Sequence, residues 1–136
     1  MTVERAHERT ARQKFGDAAE QLVADRLAGR GWRVLARNLH AGRSELDIVA
    51  VDPGPPPRLV VVEVRYRSSR EFGLVEETFD FRKRAHLRAG IARLIESGCL
   101  PDGTALPALP FAVDLAVVEP RPGGGLTARL YRDALR

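Results

Sequence analysis

The sequence predicts an α/β domain in which helices flank a mixed β-sheet, in the order α-β-β-β-α-β-β. Two strand-like segments, residues 45–51 and 59–67, stand on either side of Asp52–Pro57, whose prolines and glycine favour a hairpin loop. A helical segment over residues 80–97 then precedes an apolar strand over residues 111–118. Because a strand–helix–strand unit usually forms a parallel crossover, an antiparallel hairpin followed by this unit gives a mixed sheet.

Two helices are predicted from apolar residues that recur at helical spacing. The first covers residues 9–29 and ends at Gly29, and the second covers residues 80–97 and ends at Gly98. The predicted apolar face of the second helix consists of Leu87, Ile91, Leu94 and Ile95.

The remaining segments follow from composition and from turn residues. Residues 32–37 are predicted to form the first strand, residues 38–44 a loop, and residues 127–132 the fifth strand. Residues 1–8 are predicted to be a disordered lead, and residues 9–136 a single domain, as expected for a chain of 136 residues.

Composition limits the classes of protein to consider. The net charge of +4 and the pI of about 10.0 suit an anionic partner such as nucleic acid. Only Lys14 and Lys83 among the 22 basic residues are lysines, and Cys99 is the single cysteine, which excludes an intramolecular disulfide and a cysteine-based zinc site. No apolar run approaches the roughly 20 residues of a membrane span, and the charged start of the chain lacks a secretory signal. We therefore expect a soluble cytoplasmic protein.

The hairpin places two acids opposite each other. If it is symmetric about Pro55, Asp47 faces Glu63 across the strands, with Cβ atoms about 5 Å apart. Two carboxylates this close repel each other unless a cation, a proton or a strong donor lies between them. Because carboxylates without nearby His or Cys favour hard cations, the pair indicates Mg²⁺ or Mn²⁺.

The faces of the two strands support this interpretation, although an ion pair is the simpler alternative. Period-2 alternation predicts that Leu46, Ile48 and Ala50 share the face opposite Asp47. Glu63 lies between valines, so it needs a compensating partner, and pairing with Arg65 or Arg43 would satisfy it without a metal. A set of basic residues would bind nucleic-acid phosphates: Arg43, Arg65, Arg67, Arg70, Arg82 and Arg84.

Several motifs in a fixed order resemble the bacterial YraN family, also called UPF0102. They are Gly16–Glu20, Leu27–Gly31, Arg37-Asn38, Ser44–Ala50, Val62–Arg67, Phe72-Gly73, Lys83 and Phe111–Asp114. The resemblance extends over residues 15–119, and several ordered motifs are far more specific than one short pattern. That family looks like a small branch of the PD-(D/E)XK nuclease superfamily, close to archaeal Holliday-junction resolvases.

The resemblance implies a restriction-endonuclease-like core and a set of site residues. Asp47 and Glu63 would be metal ligands, and the backbone carbonyl of Val64 a third ligand. Glu20, on the first helix, would be a catalytic acid that supports the metal, as a further ligand, or supports its water.

Arg65 departs from the superfamily pattern, which has a lysine at this position. Arginine stays protonated and cannot act as a base. Three hypotheses stay open: Arg65 orients the attacking water, Lys83 takes the lysine's role, or the chain has lost cleavage and kept nucleic-acid binding.

These interpretations give three candidate functions. The first is a Mg²⁺- or Mn²⁺-dependent endonuclease that acts on DNA, including branched DNA, and forms a homodimer where both strands are cut. The second is a catalytically impaired module with a nuclease fold that binds nucleic acid. The third is a structural adaptor whose acids form internal salt bridges.

Overall fold

The computed structural model describes residues 11–67 and 81–135. The predicted disordered lead, residues 1–8, lies outside this part. The described elements confirm the predicted order: α1 (Ala11–Gly29), β1 (Arg33–Ala41), β2 (Ser44–Asp52), β3 (Arg58–Tyr66), α2 (Phe81–Ser97), β4 (Phe111–Pro120) and β5 (Leu126–Tyr131).

The strands form one mixed sheet in the order β1-β2-β3-β4-β5. β3 and β4 run parallel, and the other neighbouring pairs are antiparallel. In the β2–β3 hairpin Ile48 pairs with Val62 and Ala50 with Val60. This is the predicted register symmetric about Pro55, so the loop chemistry and the apolar pattern were sufficient to fix it.

The two helices cover opposite faces of the sheet. On one face α1 packs Ala19, Val23 and Leu27 against the sheet, and on the other α2 packs Leu87, Ile91 and Leu94. Ile95 was predicted to lie on this second apolar face, but it is 53% exposed, because it lies one residue beyond the inward-facing Leu94. Within the described residues, neither helix is long and apolar enough to cross a membrane.

β1 is longer than predicted. It continues to Ala41, whereas residues 38–44 were predicted as a loop. Asn38 has a φ of 51°, a left-handed conformation that asparagine tolerates better than most residues. The strand therefore kinks at Asn38 and continues beyond it, and pairing with β2 resumes at Leu39.

The alternation of β2 breaks at Asp47. Leu46 pairs with Leu39 and belongs to the core under α2, whereas Ile48 pairs with Arg37 and belongs to the core under α1. The prediction that Leu46 and Ile48 share a face was therefore wrong. By the same register Asp47 stands opposite the kink at Asn38, so both strands change face at the same level of the sheet.

Gly90 allows the turn between β1 and β2 to approach α2 closely. A Cβ at this position would lie 2.7 Å from the Cβ of Ser44, whose hydroxyl donates a hydrogen bond to the carbonyl of His86 at 2.6 Å. We expect Gly90→Ala to lower the free energy of unfolding by about 1–3 kcal/mol because of this clash, although alanine favours helices. Urea denaturation measures the change.

Gly29→Ala is the matched control, since a Cβ there meets nothing within 4 Å. It should leave stability unchanged or raise it slightly. Equal effects of the two substitutions would contradict the close approach at Gly90.

Candidate metal centre

One open pocket of about 460 Å³ collects most of the predicted site residues from both helices and the central hairpin. α1 contributes Glu20, the hairpin contributes Asp47 and Glu63, and α2 contributes Lys83. The predicted residues that line the pocket are Glu20, Arg43, Asp47, Glu63, Val64, Arg65 and Lys83.

Asp47 reaches across the hairpin to β3. Its Oδ2 accepts a hydrogen bond of 2.8 Å from the backbone N–H of Val64. Burial, and then the charge of Glu63, raises the pKa of Asp47 to about 7. The carboxyl group therefore holds a proton far more readily than an exposed aspartate would.

Glu63 is buried and compensated on one side only. Its side chain is 1% exposed, and its Oε1 lies 3.1 Å from the Nη2 of Arg65 and 3.1 Å from the Nζ of Lys83. Its Oε2 is buried without a hydrogen-bond partner among the described residues. A buried carboxylate oxygen without a partner is expensive. The Asp47 side chain lies within hydrogen-bonding reach of Glu63, so a proton shared by the two acids or a bound cation would satisfy this atom.

Glu20 approaches the hairpin from α1. It is 8% exposed, and burial, and then the charge of Asp47, raises its pKa to about 7. Three acids thus meet at one end of the sheet, two of them with raised pKa values. Such clusters are common at functional sites.

The donor set fits a hard divalent cation. Mg²⁺ is usually held by one or two carboxylates, with waters and substrate oxygens completing its shell, and the Asp47–Glu63 pair with its unpartnered oxygen supplies this arrangement. Across residues 11–67 and 81–135, no three His, Cys, Asp or Glu side chains are arranged to hold a metal ion. The ligand roles of Glu20 and of the Val64 carbonyl stay predictions.

The structure brings only part of the predicted basic set to the pocket. Arg43 and Arg65 line it. Arg67 and Arg84 are described but do not contribute to its lining. Arg70 and the side chain of Arg82 lie outside the described residues.

Sequence reasoning missed several lining residues. His86, an exposed residue of α2, lines the pocket and is absent from the predicted site. It stands three residues after Lys83, and residues at this spacing share a helix face, so the spacing could have revealed it. Ser44 and Glu45 also line the pocket. Ser44 was predicted to lie in a loop but is the first residue of β2, and Glu45 follows it in the strand.

Comparisons with known proteins agree on one family. The profile of a family described as "Uncharacterised protein family UPF0102" matches residues 19–118. A UPF0102 protein of Symbiobacterium thermophilum is 35% identical over 122 residues, which is 90% of this chain and 96% of the relative. One from Roseiflexus castenholzii is 36% identical over 79% of this chain and 81% of the relative. One from Pseudomonas savastanoi pv. phaseolicola is 34% identical over 93% of this chain and 96% of the relative.

Proposed function

This chain belongs to the UPF0102 family, and on that premise we propose that it is a metal-dependent endonuclease that hydrolyses phosphodiesters in DNA. The observation that carries the proposal is the Asp47–Glu63 pair, with Oε2 of Glu63 buried and unpartnered in an open pocket. The resemblance to PD-(D/E)XK nucleases gives the reaction class.

Each side chain of the pocket would have its own role in the reaction. Asp47 and Glu63 would hold Mg²⁺ or Mn²⁺, which when bound lowers the pKa of a water and neutralises phosphate charge. Lys83 would orient the attacking water, and Arg65 would stabilise negative charge on the phosphate as it is attacked. Arg43, on the exposed turn beside the pocket, would bind a neighbouring phosphate.

Branched DNA is the substrate class that the resemblance favours. A chain of this size carries one such pocket in its described part. Cutting both strands would therefore require two copies, and a two-fold dimer is the commonest way to supply them.

A cleavage assay tests the proposal. Purified protein is incubated with linear, flapped and four-way-junction DNA in Mg²⁺, Mn²⁺ or EDTA, and Glu63→Gln is the matched variant. We expect cutting that requires the metal and that the variant lacks, while the variant still binds DNA. Absence of cutting on every substrate would refute the proposal.

The second candidate is a nucleic-acid-binding module with a nuclease fold. Arg65 favours it, because an arginine contacts Glu63 where the superfamily has a lysine, and arginine cannot accept a proton. DNA binding without cleavage, at every metal tested, is the result that this candidate predicts.

Substituting Lys83 distinguishes the endonuclease from the nucleic-acid-binding module. We expect Lys83→Met to slow cleavage by about 10²-fold, as for loss of a group that assists proton transfer. Adding Arg65→Lys should restore part of the rate, since an amine then reaches Glu63 from β3 instead of α2. Single-turnover cleavage rates measure both effects.

Lys83→Arg tests whether Lys83 acts through its positive charge or through release of its proton. It keeps the positive charge beside Glu63 but loses an amine that can release its proton. If this variant cleaves as fast as the unmodified chain, Lys83 acts through its charge and its N–H donors, and transfer of its proton plays no part in the reaction.

A further inference from the structure

We infer that Asn38 is a positioning residue, whose side-chain amide holds the carboxylate of Glu20 beside Asp47. This inference deepens the proposed function and rests on it, because Glu20 matters only if the pocket holds a metal and its water. Asn38 lies on β1 and does not line the pocket itself, so it would act through Glu20.

The backbone places Asn38 at the level of the acids. Its φ of 51° marks the kink in β1, and the β1–β2 register puts it opposite Asp47. A left-handed residue within a strand is unusual and needs a local reason. Here the kink turns the amide towards the end of the sheet where α1 brings Glu20.

The amide makes bonds that fit this purpose. With its nitrogen directed towards the acids, Asn38 donates to Glu20 at 2.9 Å and 3.2 Å, and to Glu45 at 3.1 Å. One neutral group therefore bridges two acids, from α1 and β2. A neutral donor fixes the direction of a carboxylate without cancelling its charge.

A purely structural role would be to hold α1 on β1, but another contact already does this. Arg37 donates to Oε1 of Gln21 at 2.7 Å, and this bond joins the same two elements next to the bonds of Asn38. The two contacts can therefore be compared directly, because Asn38 donates hydrogen bonds to Glu20, whereas Arg37 acts on Glu20 through its charge.

The test measures binding of Mn²⁺ to the whole protein without DNA, together with cleavage kinetics and melting temperature. Asn38→Gly is the main variant, since glycine accepts the positive φ and removes the amide. Gln21→Ala is the matched control. We expect Asn38→Gly to weaken Mn²⁺ binding and to lower kcat by about 10-fold, with KM unchanged, and Gln21→Ala to alter neither.

A double variant shows whether Asn38 acts through Glu20. Glu20→Gln alone should weaken Mn²⁺ binding, and adding Asn38→Gly should cause no further loss. Additive losses would overturn the inference, as would Mn²⁺ binding in Asn38→Gly equal to the unmodified protein or an equal loss in Gln21→Ala. If the unmodified protein binds no Mn²⁺, both the proposed function and this inference fail. If the unmodified protein binds Mn²⁺ and Asn38→Gly leaves cleavage unchanged, only this inference fails.

Discussion

Asp47→Asn is expected to abolish metal-dependent cleavage and, in the metal-free protein, to raise the melting temperature. Changes to residues that only support a metal ligand reduce affinity or activity by about 10–100-fold, so removing a ligand should reduce cleavage by more than about 100-fold. Stability should rise by about 0.5–2 kcal/mol, because a site strained for function is relaxed. Asparagine can still accept the hydrogen bond from the N–H of Val64 and does not repel Glu63.

The gain in stability should depend on pH. Burial and Glu63 raise the pKa of Asp47 from 3.8 to about 7, so the folded protein binds this proton more tightly than the unfolded chain does. The contribution of Asp47 to stability is therefore fully present below pH 3.8 and is lost as the pH rises through about 7. Asp47→Asn should melt like the unmodified protein near pH 4 and at a higher temperature near pH 8.

Thermal melting across this range, with and without Mg²⁺, measures the effect. Mg²⁺ should stabilise the unmodified protein most at high pH and should not stabilise Asp47→Asn. Asp25→Asn, an exposed acid on α1 that pairs with Gln21, is the matched control and should change neither property. An Asp47→Asn variant that still cleaves with Mg²⁺ would eliminate Asp47 as a ligand.

Arg132→Met should lower the free energy of unfolding by about 3–5 kcal/mol near pH 8, the usual result of leaving a buried charge without its partner. Asp114 on β4 is fully buried, and its Oδ2 lies 2.7 Å from the Nε of Arg132. Arg132 also contacts Oδ2 of Asp52 at 2.6 Å, and its guanidinium lies 5.2 Å from the centre of the Trp32 ring. The C-terminal segment is thereby joined to β2, to β4 and to Trp32, the residue directly before β1.

The loss of stability caused by Arg132→Met should be smaller at low pH, because Asp114 can then be neutral. Burial raises the pKa of Asp114 even with Arg132 present, and removing the guanidinium would raise it further. Urea denaturation at two pH values should therefore show a larger loss at the higher pH. A loss that does not change with pH would contradict this explanation.

Two variants separate the ion pair from simple loss of packing. When Asp114 has already been replaced (Asp114→Asn), adding Arg132→Met should lower the free energy of unfolding by less than it does in the unmodified chain, since no buried charge is left behind. Arg129→Met, an exposed arginine on β5, should change stability by less than about 0.5 kcal/mol.

The sequence was sufficient for features that depend on local chemistry. The prolines and Gly54 between β2 and β3 determine where the chain turns, and the apolar residues determine which side faces inward. Together they fixed the hairpin register, and with it the meeting of Asp47 and Glu63. The order of helices and strands followed for the same reason, since each element carries its own periodicity.

Features that depend on distant residues could not be predicted. The change of face at Asp47 is linked to the kink at Asn38 on a neighbouring strand, and strict alternation along β2 gives no sign of it. Lys83 was a candidate only through the resemblance, because its approach to Glu63 depends on how α2 packs. The contact between Asp114 and Arg132 joins β4 to the end of β5 and was not foreseen at all.

The kink at Asn38 also affects how this protein behaves in a crowded solution. β1 is one of the two edge strands of the sheet, and a straight, unpaired edge is where strands of other molecules add and aggregates begin. In β1 the pairing shifts between Val34 and Ala36, and the backbone turns left-handed at Asn38. These two irregularities leave little regular backbone for an incoming strand, so the segment that brings Asn38 to the acids also protects the open edge of the sheet.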